Sequence, residues 1–295
     1  MSYIEAIDLK NIILNALKED IGEKDITCEM VIPRDKKSSA TIIVKEDCVV
    51  CGINIALEVF KLKDASIEFE AHVKDGQTVK AGKKIASLHG NTASILTAER
   101  VALNFLSFLS GISTKVREYT LAIKPYKIKI VDTRKTLPNL RELQKYAVRM
   151  GGGFNHRMTL DEMVLVKDNH LKAIGGVENL PKLFASVFIR SNTSLSSQRY
   201  QFEIEVEDIK QFKVALKFKP DIIMLDNMSI AEMKHAVKLR NKFSPDSANR
   251  KPKLEASGSI NLKNIKKVAS CGIDMISIGS LTHSISSVDI GLEIK

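Results

Sequence analysis

The chain has 295 residues, 44% of them apolar and 27% charged, with 45 Lys and Arg against 35 Asp and Glu and a formal net charge of +10. This length and balance exclude a disordered or fibrous chain and leave one large or two moderate globular domains with ample core. The basic excess invites an anionic partner, but aromatics are only 5%, Trp is absent and no Lys/Arg run exceeds a pair, so nucleic acid fares poorly and a nucleic-acid binder stands only as a rival reading. No apolar run approaches the ~20 residues of a spanning helix, and residues 1–20 are too acidic and amphipathic for a signal peptide, so a cytoplasmic protein without a membrane partner is expected. Cys28, Cys48, Cys51 and Cys271 are too few and scattered for a disulfide scaffold. Cys48 and Cys51 form a C-x-x-C in a predicted strand, which reads as two core thiols more readily than as half a zinc site.

Ile7, Ile12, Ile13 and Leu17 at helical spacing predict a first helix over Ile4 to Leu17. An acidic, turn-rich passage from Glu19 to Thr27 follows and is expected to end in a strand. ATIIVKED and VVCGI read as strands, Ile55 to Phe60 as a helix, and Ser66 to Ala71 as a strand, which together describe a small α+β domain. His72 to Ala86, with its Asp-Gly and Ala-Gly turns, reads as a structural hairpin rather than a lipoate or biotin carrier tip. From Thr97, a candidate N-cap, the pattern turns helical, with Val101, Phe105, Phe108, Leu109, Ile112 and Val116 on one face. Arg100 then stands near the positive end of a helix dipole, where either solvent or a nearby anion must offset the placement. Gly111 inside this helix points to close packing.

Beyond Ile123 strands alternate with helices. Lys127 to Val131, Met163 to Val166, Arg199 to Val206, Asp221 to Leu225, Lys253 to Ala256 and Met275 to Ile278 read as strands. Asn139 to Val148, Val177 to Phe188, Asp208 to Phe218, Ile230 to Phe243 and Leu262 to Ser270 read as helices. Six strands in this rhythm predict a parallel sheet, closed as a barrel because polar groups follow almost every strand. The polar stretches Ser186 to Gln201 and Asn241 to Lys253 read as surface insertions.

The strand ends carry the chemistry. Asp132, Thr133, Arg134 and Lys135 follow the first strand, His156 and Arg157 precede the second, and Lys167 follows it. Glu203, Glu205 and Glu207 share one face of the third strand, and Asp226 ends the fourth. Ser257-Gly258-Ser259 and Gly279-Ser280, with His283 beyond, close the fifth and sixth. In a barrel these meet at one mouth, where the cations suit a substrate with several carboxylates or phosphates and the Gly-Ser turns offer backbone N–H groups. Glu205 and Asp226 suit ribose hydroxyls or a Mg²⁺ held through water.

EDIGEKDIT, TAERVALNFLSFLSGIST, the long stretch from Val131 to His170, EIEVE, IIMLDN, EASGSI and ISIGSLTHS together resemble the quinolinate phosphoribosyltransferase (nicotinate-nucleotide pyrophosphorylase) family over nearly the whole chain. The resemblance implies an α/β fold: an N-terminal α/β sandwich domain, residues 1–122 with 284–295 joining it, and an incomplete TIM-like barrel of six parallel strands, residues 123–283. It also implies transfer of phosphoribosyl from phosphoribosyl pyrophosphate to quinolinate with decarboxylation, and Mg²⁺ as cofactor. By resemblance Arg134, His156, Arg157 and Lys167 bind quinolinate, and Arg100 reaches in from the neighbouring subunit of a homodimer, itself free to form a higher oligomer. Lys135 and Lys167 contact pyrophosphate and the reacting carboxylate, Glu205 and Asp226 serve ribose and Mg²⁺, and Thr133, Ser257, Gly258, Gly279 and His283 complete the substrate site. Rival readings are a Schiff-base barrel aldolase using Lys167 and a related barrel phosphoribosyltransferase acting on another aromatic acid.

Overall fold

The computed structural model describes residues 8–180, 200–243 and 251–295. Contacts divide the chain into two compact units: Met1–Glu118 with Lys135–Gly153 and Ser280–Lys295, and Tyr119–Arg134 with Phe154–Gly279. The segment Lys135–Gly153, which chain order gives to the barrel, therefore packs with the first unit.

In the first unit α1 (Leu9–Ile21) buries Ile13 and Leu17, and Asp8 caps it by accepting from the Asn11 N–H. The strand expected at Thr27 is instead a short helix, α2 (Ile26–Val31). Its cap decides this: Asp25 accepts from the Cys28 N–H at 2.9 Å, which satisfies a free donor of the first turn. The strands β1 (Lys37–Val44), β3 (Glu68–Ala71), β5 (Lys84–Asn91) and β12 (Ile290–Ile294) form an antiparallel sheet ordered β12-β1-β5-β3. Helix α3 (Ile53–Lys63) buries Ile55, Val59 and Phe60. Of the strand predicted at VVCGI only Val49 lies in a strand, β2 (Cys48–Val49), and Cys48 and Cys51 are buried free thiols.

The predicted hairpin closes only at its base, where the His72 N–H donates to the Ile85 carbonyl at 2.9 Å. β4 (Thr78–Val79) pairs with β2, while β5 lies between β1 and β3. The Asp75 carboxylate explains the split, because it accepts from the N–H groups of Gly52 and Ile53 at 2.9 and 3.0 Å and so pins the Asp-Gly turn to the start of α3.

Helix α4 (Thr92–Ala122) begins before Thr97, because Asn91 accepts from the Ser94 N–H at 3.0 Å and supplies the cap. Thr97 is thus an interior residue whose hydroxyl donates to Asp25. Arg100 sits beyond the first turn, where the dipole no longer penalises a cation. Contrary to the sequence expectation, α4 is long and apolar enough to cross a membrane, but 61% of its most apolar window is buried, as in a core helix. Val101, Leu109, Ile112 and Val116 are buried as predicted, whereas Phe105 and Phe108 are half-buried. Helix α5 (Arg141–Met150), also in this unit, buries Leu143, Gln144, Ala147 and Val148.

The second unit holds six parallel strands: β6 (Lys129–Val131), β7 (Met163–Val166), β8 (Gln201–Val206), β9 (Ile222–Asp226), β10 (Lys253–Ser257) and β11 (Met275–Ser277). Their order, β6-β11-β10-β9-β8-β7, is the cyclic order of a barrel with one seam. Among the described residues no ladder joins β6 to β7; the Phe154 segment bridges Val131 in parallel and occupies the edge that β7 would need for closure. Helices α6 (Asp168–Ala173), α7 (Ile209–Lys217), α8 (Ile230–Lys242) and α9 (Ile265–Ala269) follow β7, β8, β9 and β10. Val177–Asn179 forms a single 3₁₀ turn, and the rest of the helix and insertions predicted within 181–199 and 244–250 lies outside the described residues.

A Cβ at Gly111 would overlap the Ser286 carbonyl group. Gly111→Ala should therefore lower stability by about 1–3 kcal/mol despite the better helix propensity of Ala. Thermal or urea unfolding checks this; a variant as stable as wild type would contradict the packing.

Candidate active site

All six strands of the second unit run one way, so their carboxyl ends share one end of the sheet. Asp132, directly after β6, is fully buried there. Its carboxylate accepts from Asn155 Nδ2 at 2.6 Å and from the His156 backbone N–H at 2.9 Å. Its own N–H donates to the Phe154 carbonyl at 3.1 Å. These bonds fasten the 154–157 loop to the end of β6, which is how residues from two separate sequence stretches come together.

On that loop the Arg157 guanidinium donates through Nη1 to the Met163 carbonyl at 2.8 Å. Burial and the nearby Arg134 charge both lower the Arg157 pKa, with Glu203 acting against them. Arg134 Nε is buried without a hydrogen-bond partner in this structure. His156 donates through Nε2 to Glu203 Oε2, 3.1 Å away, and lies 3.5 Å from Glu255 Oε2. Burial opposes a charge on the ring, but Glu203 and Glu255 outweigh it and raise its pKa to about 10. Nδ1 accepts the Arg157 N–H at 2.9 Å, so a second ring proton must displace that bond. Burial and the Glu255 charge raise the Glu203 carboxyl to about 7, against His156.

Next along the sheet, Lys167 is exposed and its Nζ stands 3.8 Å from Glu205. Glu205 is 7% exposed; burial raises its pKa, while Lys167 pulls the other way. A cleft of about 320 Å³ opens beside it, lined by Asp168, Lys172, Gly175, Gly176 and Glu207. Asp226 ends β9 in register with Ser257, and the turns behind them are clasped together. The Asn227 N–H donates to the Ser257 carbonyl at 2.9 Å, and Ser259 Oγ donates to Asn227 Oδ1 at 3.2 Å. Gly258, at φ +88°, leaves no room for a Cβ beside Asn227. Gly279 follows β11, whose next residue, Ile278, donates its N–H to Val131 O at 3.0 Å.

The second unit thus unites Thr133, Arg134, His156, Arg157, Lys167, Glu205, Asp226, Ser257, Gly258 and Gly279. Lys135, His283 and Arg100 belong to the first unit. There the Lys135 carbonyl accepts from Thr282 Oγ1 at 2.7 Å, and Gln144 Nε2 donates to the Thr282 carbonyl at 2.7 Å, so the Lys135 turn is held to the helix α10 (Ser280–His283). Arg100 is exposed and lines a groove with Asn104, Phe108 and Ser287.

Sequence reasoning assigned no role to Glu255 or to the buried carboxylate of Asp132. The available signal was the carboxylate between Leu254 and Ala256 in the predicted strand KLEA, since an inward charge on a parallel strand needs a partner. His156, Glu203 and Glu255 bring ligand atoms within 4.8 Å of one another. A cation bound at Nε2 would leave the ring with no proton, because Nδ1 already accepts one, so this cluster fits hydrogen bonding better than a metal centre. Glu205 and Asp226 are the hard oxygen donors that suit Mg²⁺.

The model of the quinolinate phosphoribosyl transferase C-terminal domain matches residues 112–293 and that of its N-terminal domain residues 25–110. A quinolinate phosphoribosyltransferase [decarboxylating] 2, mitochondrial, of Nicotiana glauca is 39% identical over 97% of this chain and 82% of its own length. A probable nicotinate-nucleotide pyrophosphorylase [carboxylating] of Bacillus subtilis is 36% identical over 98% of this chain and 94% of its own. The crystal structure of a nicotinate-nucleotide pyrophosphorylase from Ehrlichia chaffeensis superposes with a TM-score of 0.87 at 38% identity, covering 98% of this chain and 100% of that one.

Replacing Asp132 with Ala strands the Asn155 and His156 donors in a buried place. Asp132→Ala should cost about 2–4 kcal/mol in urea unfolding with an unchanged m-value. A loss below about 0.5 kcal/mol would mean that the loop is held by other contacts.

Proposed function

The chain belongs to the quinolinate phosphoribosyltransferase family, and on that premise we propose that it transfers phosphoribosyl from phosphoribosyl pyrophosphate to quinolinate. The products are nicotinate mononucleotide, pyrophosphate and CO₂. One observation carries the choice of acid: Arg134 Nε is buried without an acceptor while Arg157 is destabilised by burial and by Arg134 itself. Two half-buried guanidiniums that repel one another call for an anion that accepts from both, and a ring with adjacent carboxylates supplies it.

In this assignment Arg134, Arg157 and Lys167 receive the diacid, and His156 contributes position, both of its ring nitrogens being engaged inside the chain. Lys135 and Lys167 meet pyrophosphate and the reacting carboxylate. Thr133, Ser257, Gly258, Gly279 and His283 receive phosphate, and Glu205 and Asp226 face the ribose. Mg²⁺ bound with the substrate would neutralise pyrophosphate oxygens, and Glu205 and Asp226 would hold it through water. The pyridine nitrogen attacks ribose C1 as the bond from C1 to pyrophosphate breaks, and the two carboxylates stabilise the positive charge that develops on the sugar. The resulting pyridinium accepts the electron pair released when the adjacent carboxylate departs as CO₂, and the ring carbon is then protonated. Binding and orientation supply most of the catalysis. Lys167, with its side chain 45% exposed and a carboxylate 3.8 Å away, has the surroundings of a surface ion pair rather than the apolar pocket of a Schiff-base lysine.

Incubation with Mg²⁺, phosphoribosyl pyrophosphate and quinolinate should release nicotinate mononucleotide and CO₂ in equal amounts. Nicotinate, with one carboxylate fewer, should react at least ~100-fold more slowly, since it leaves a desolvated cation unpaired. Comparable use of the two acids would overturn the assignment.

We further propose a homodimer in which Arg100 completes the neighbouring subunit's site. Its exposure on α4, away from the cations of its own second unit in sequence, supports this role. Arg100→Ala and Arg134→Ala should each be inactive, and a mixture that exchanges subunits should regain about a quarter of wild-type activity, because half the dimers are mixed and half their sites intact. An exchanged mixture that stays inactive assigns both arginines to one chain's site.

A further inference from the structure

Glu203 and Glu255 are both fully buried, and the proposed reaction uses neither directly. They stand on β8 and β10, alternate strands of the parallel sheet, the arrangement that brings inward side chains into one layer of a barrel. Both approach the same atom, His156 Nε2, at 3.1 and 3.5 Å. Glu203 Oε1 and both Glu255 oxygens have no hydrogen-bond partner in this structure, so the imidazole is the main compensation for two desolvated carboxylates. From the opposite edge of the ring Nδ1 accepts the Arg157 N–H, and Asp132 holds the His156 N–H. A continuous line of contacts thus leads from the two buried acids, through one ring, to the main chain of Arg157.

We propose that Glu203 and Glu255 are positioning residues of the acid subsite: they hold the His156 ring by its Nε2 edge so that Nδ1 fixes the main chain of Arg157. Glu203 also opposes the repulsion between Arg134 and Arg157, since its charge acts on Arg157 against that of Arg134. The subsite is thereby assembled before the acid arrives, which spares binding the loss of freedom of a loose loop. Its consequence for catalysis rests on the reading of Arg157 as a ligand of quinolinate; its consequence for the loop does not.

The experiment uses Glu203→Leu, Glu255→Leu and Glu203→Gln in the full chain, the last offering Nε2–H an amide oxygen in place of the carboxylate. In Glu203→Leu the Arg157 amide resonance should shift, its hydrogen exchange should quicken about tenfold or more, and the KM for quinolinate should rise by about the same factor. The KM for phosphoribosyl pyrophosphate should change less than threefold by this reasoning, since that substrate does not meet Arg157. Glu255→Leu should give the same pattern, and Glu203→Gln should restore most of the Arg157 protection. If Glu203→Leu does not fold, His156→Phe takes its place, keeping a ring but offering no acceptor. Unchanged Arg157 exchange in a folded Glu203→Leu or His156→Phe overturns the proposal. So does a uniform loss, with both KM values and melting temperature affected and Gln no better than Leu, which is the signature of plain packing. A wild-type protein that turns over no quinolinate overturns the reaction assignment alone, and Arg157 exchange still decides the positioning role.

Discussion

Strands that all run one way have both faces buried and their carboxyl ends together, and the second unit shows what that constraint demands. Along β8 the run Glu203 to Val206 is buried without interruption, and β9 from Ile222 to Leu225 is likewise. Apolar residues meet this condition at no electrostatic cost. Glu203, Glu205 and Glu255 do not, and each is stable only because a cation or donor stands at the same end of the sheet: His156 for the first and last, Lys167 for the second. The interior acids and the strand-end cations are therefore one electrostatic arrangement. Removing either half would leave the other without compensation.

The geometry of the turns follows from similarly local causes. Asn227 takes φ +54° and Gly258 φ +88°, and the two meet so closely that one side chain fills the space the other lacks. Asp226 and Ser257 are thus set side by side at adjacent strand ends by a contact between their neighbours. On β6 the same task falls to Asp132, which organises a loop more than twenty residues further along.

Much of this was legible in the sequence, and the exceptions share a cause. The parallel strands were found because apolar runs of β-branched residues followed by charges are a strong local signal, and β7 matches its predicted bounds. The element starts that were misread, at Thr97, Thr27 and the Asp-Gly hairpin, depend on which side chain reaches which free N–H. Asn91, Asp25 and Asp75 decide those cases, and for Asp75 the partners lie in a distant stretch of chain. The segment Lys135–Gly153, which contains α5, falls within the barrel by chain order, whereas packing groups it with the first unit. At the site, cations at strand ends were evident from type and spacing. Glu255 stood out only as a charge within a predicted strand, because its role depends on the distance to an imidazole 99 residues earlier, which no periodicity encodes.

The C-terminal strand has a consequence for biogenesis. β1 is flanked by β5 on one edge and by β12 on the other, with Ala40 opposite Ile294. As the polypeptide leaves the ribosome, every residue of the parallel sheet emerges before β12 does, and until then one edge of β1 offers unpaired N–H and C=O groups to any passing strand. The antiparallel sheet, whose β1 precedes the parallel strands, is completed only after they have emerged. A nascent chain of this topology has to keep that edge from pairing elsewhere while the parallel strands are made, so shielding by a chaperone would matter most for β1 during that interval.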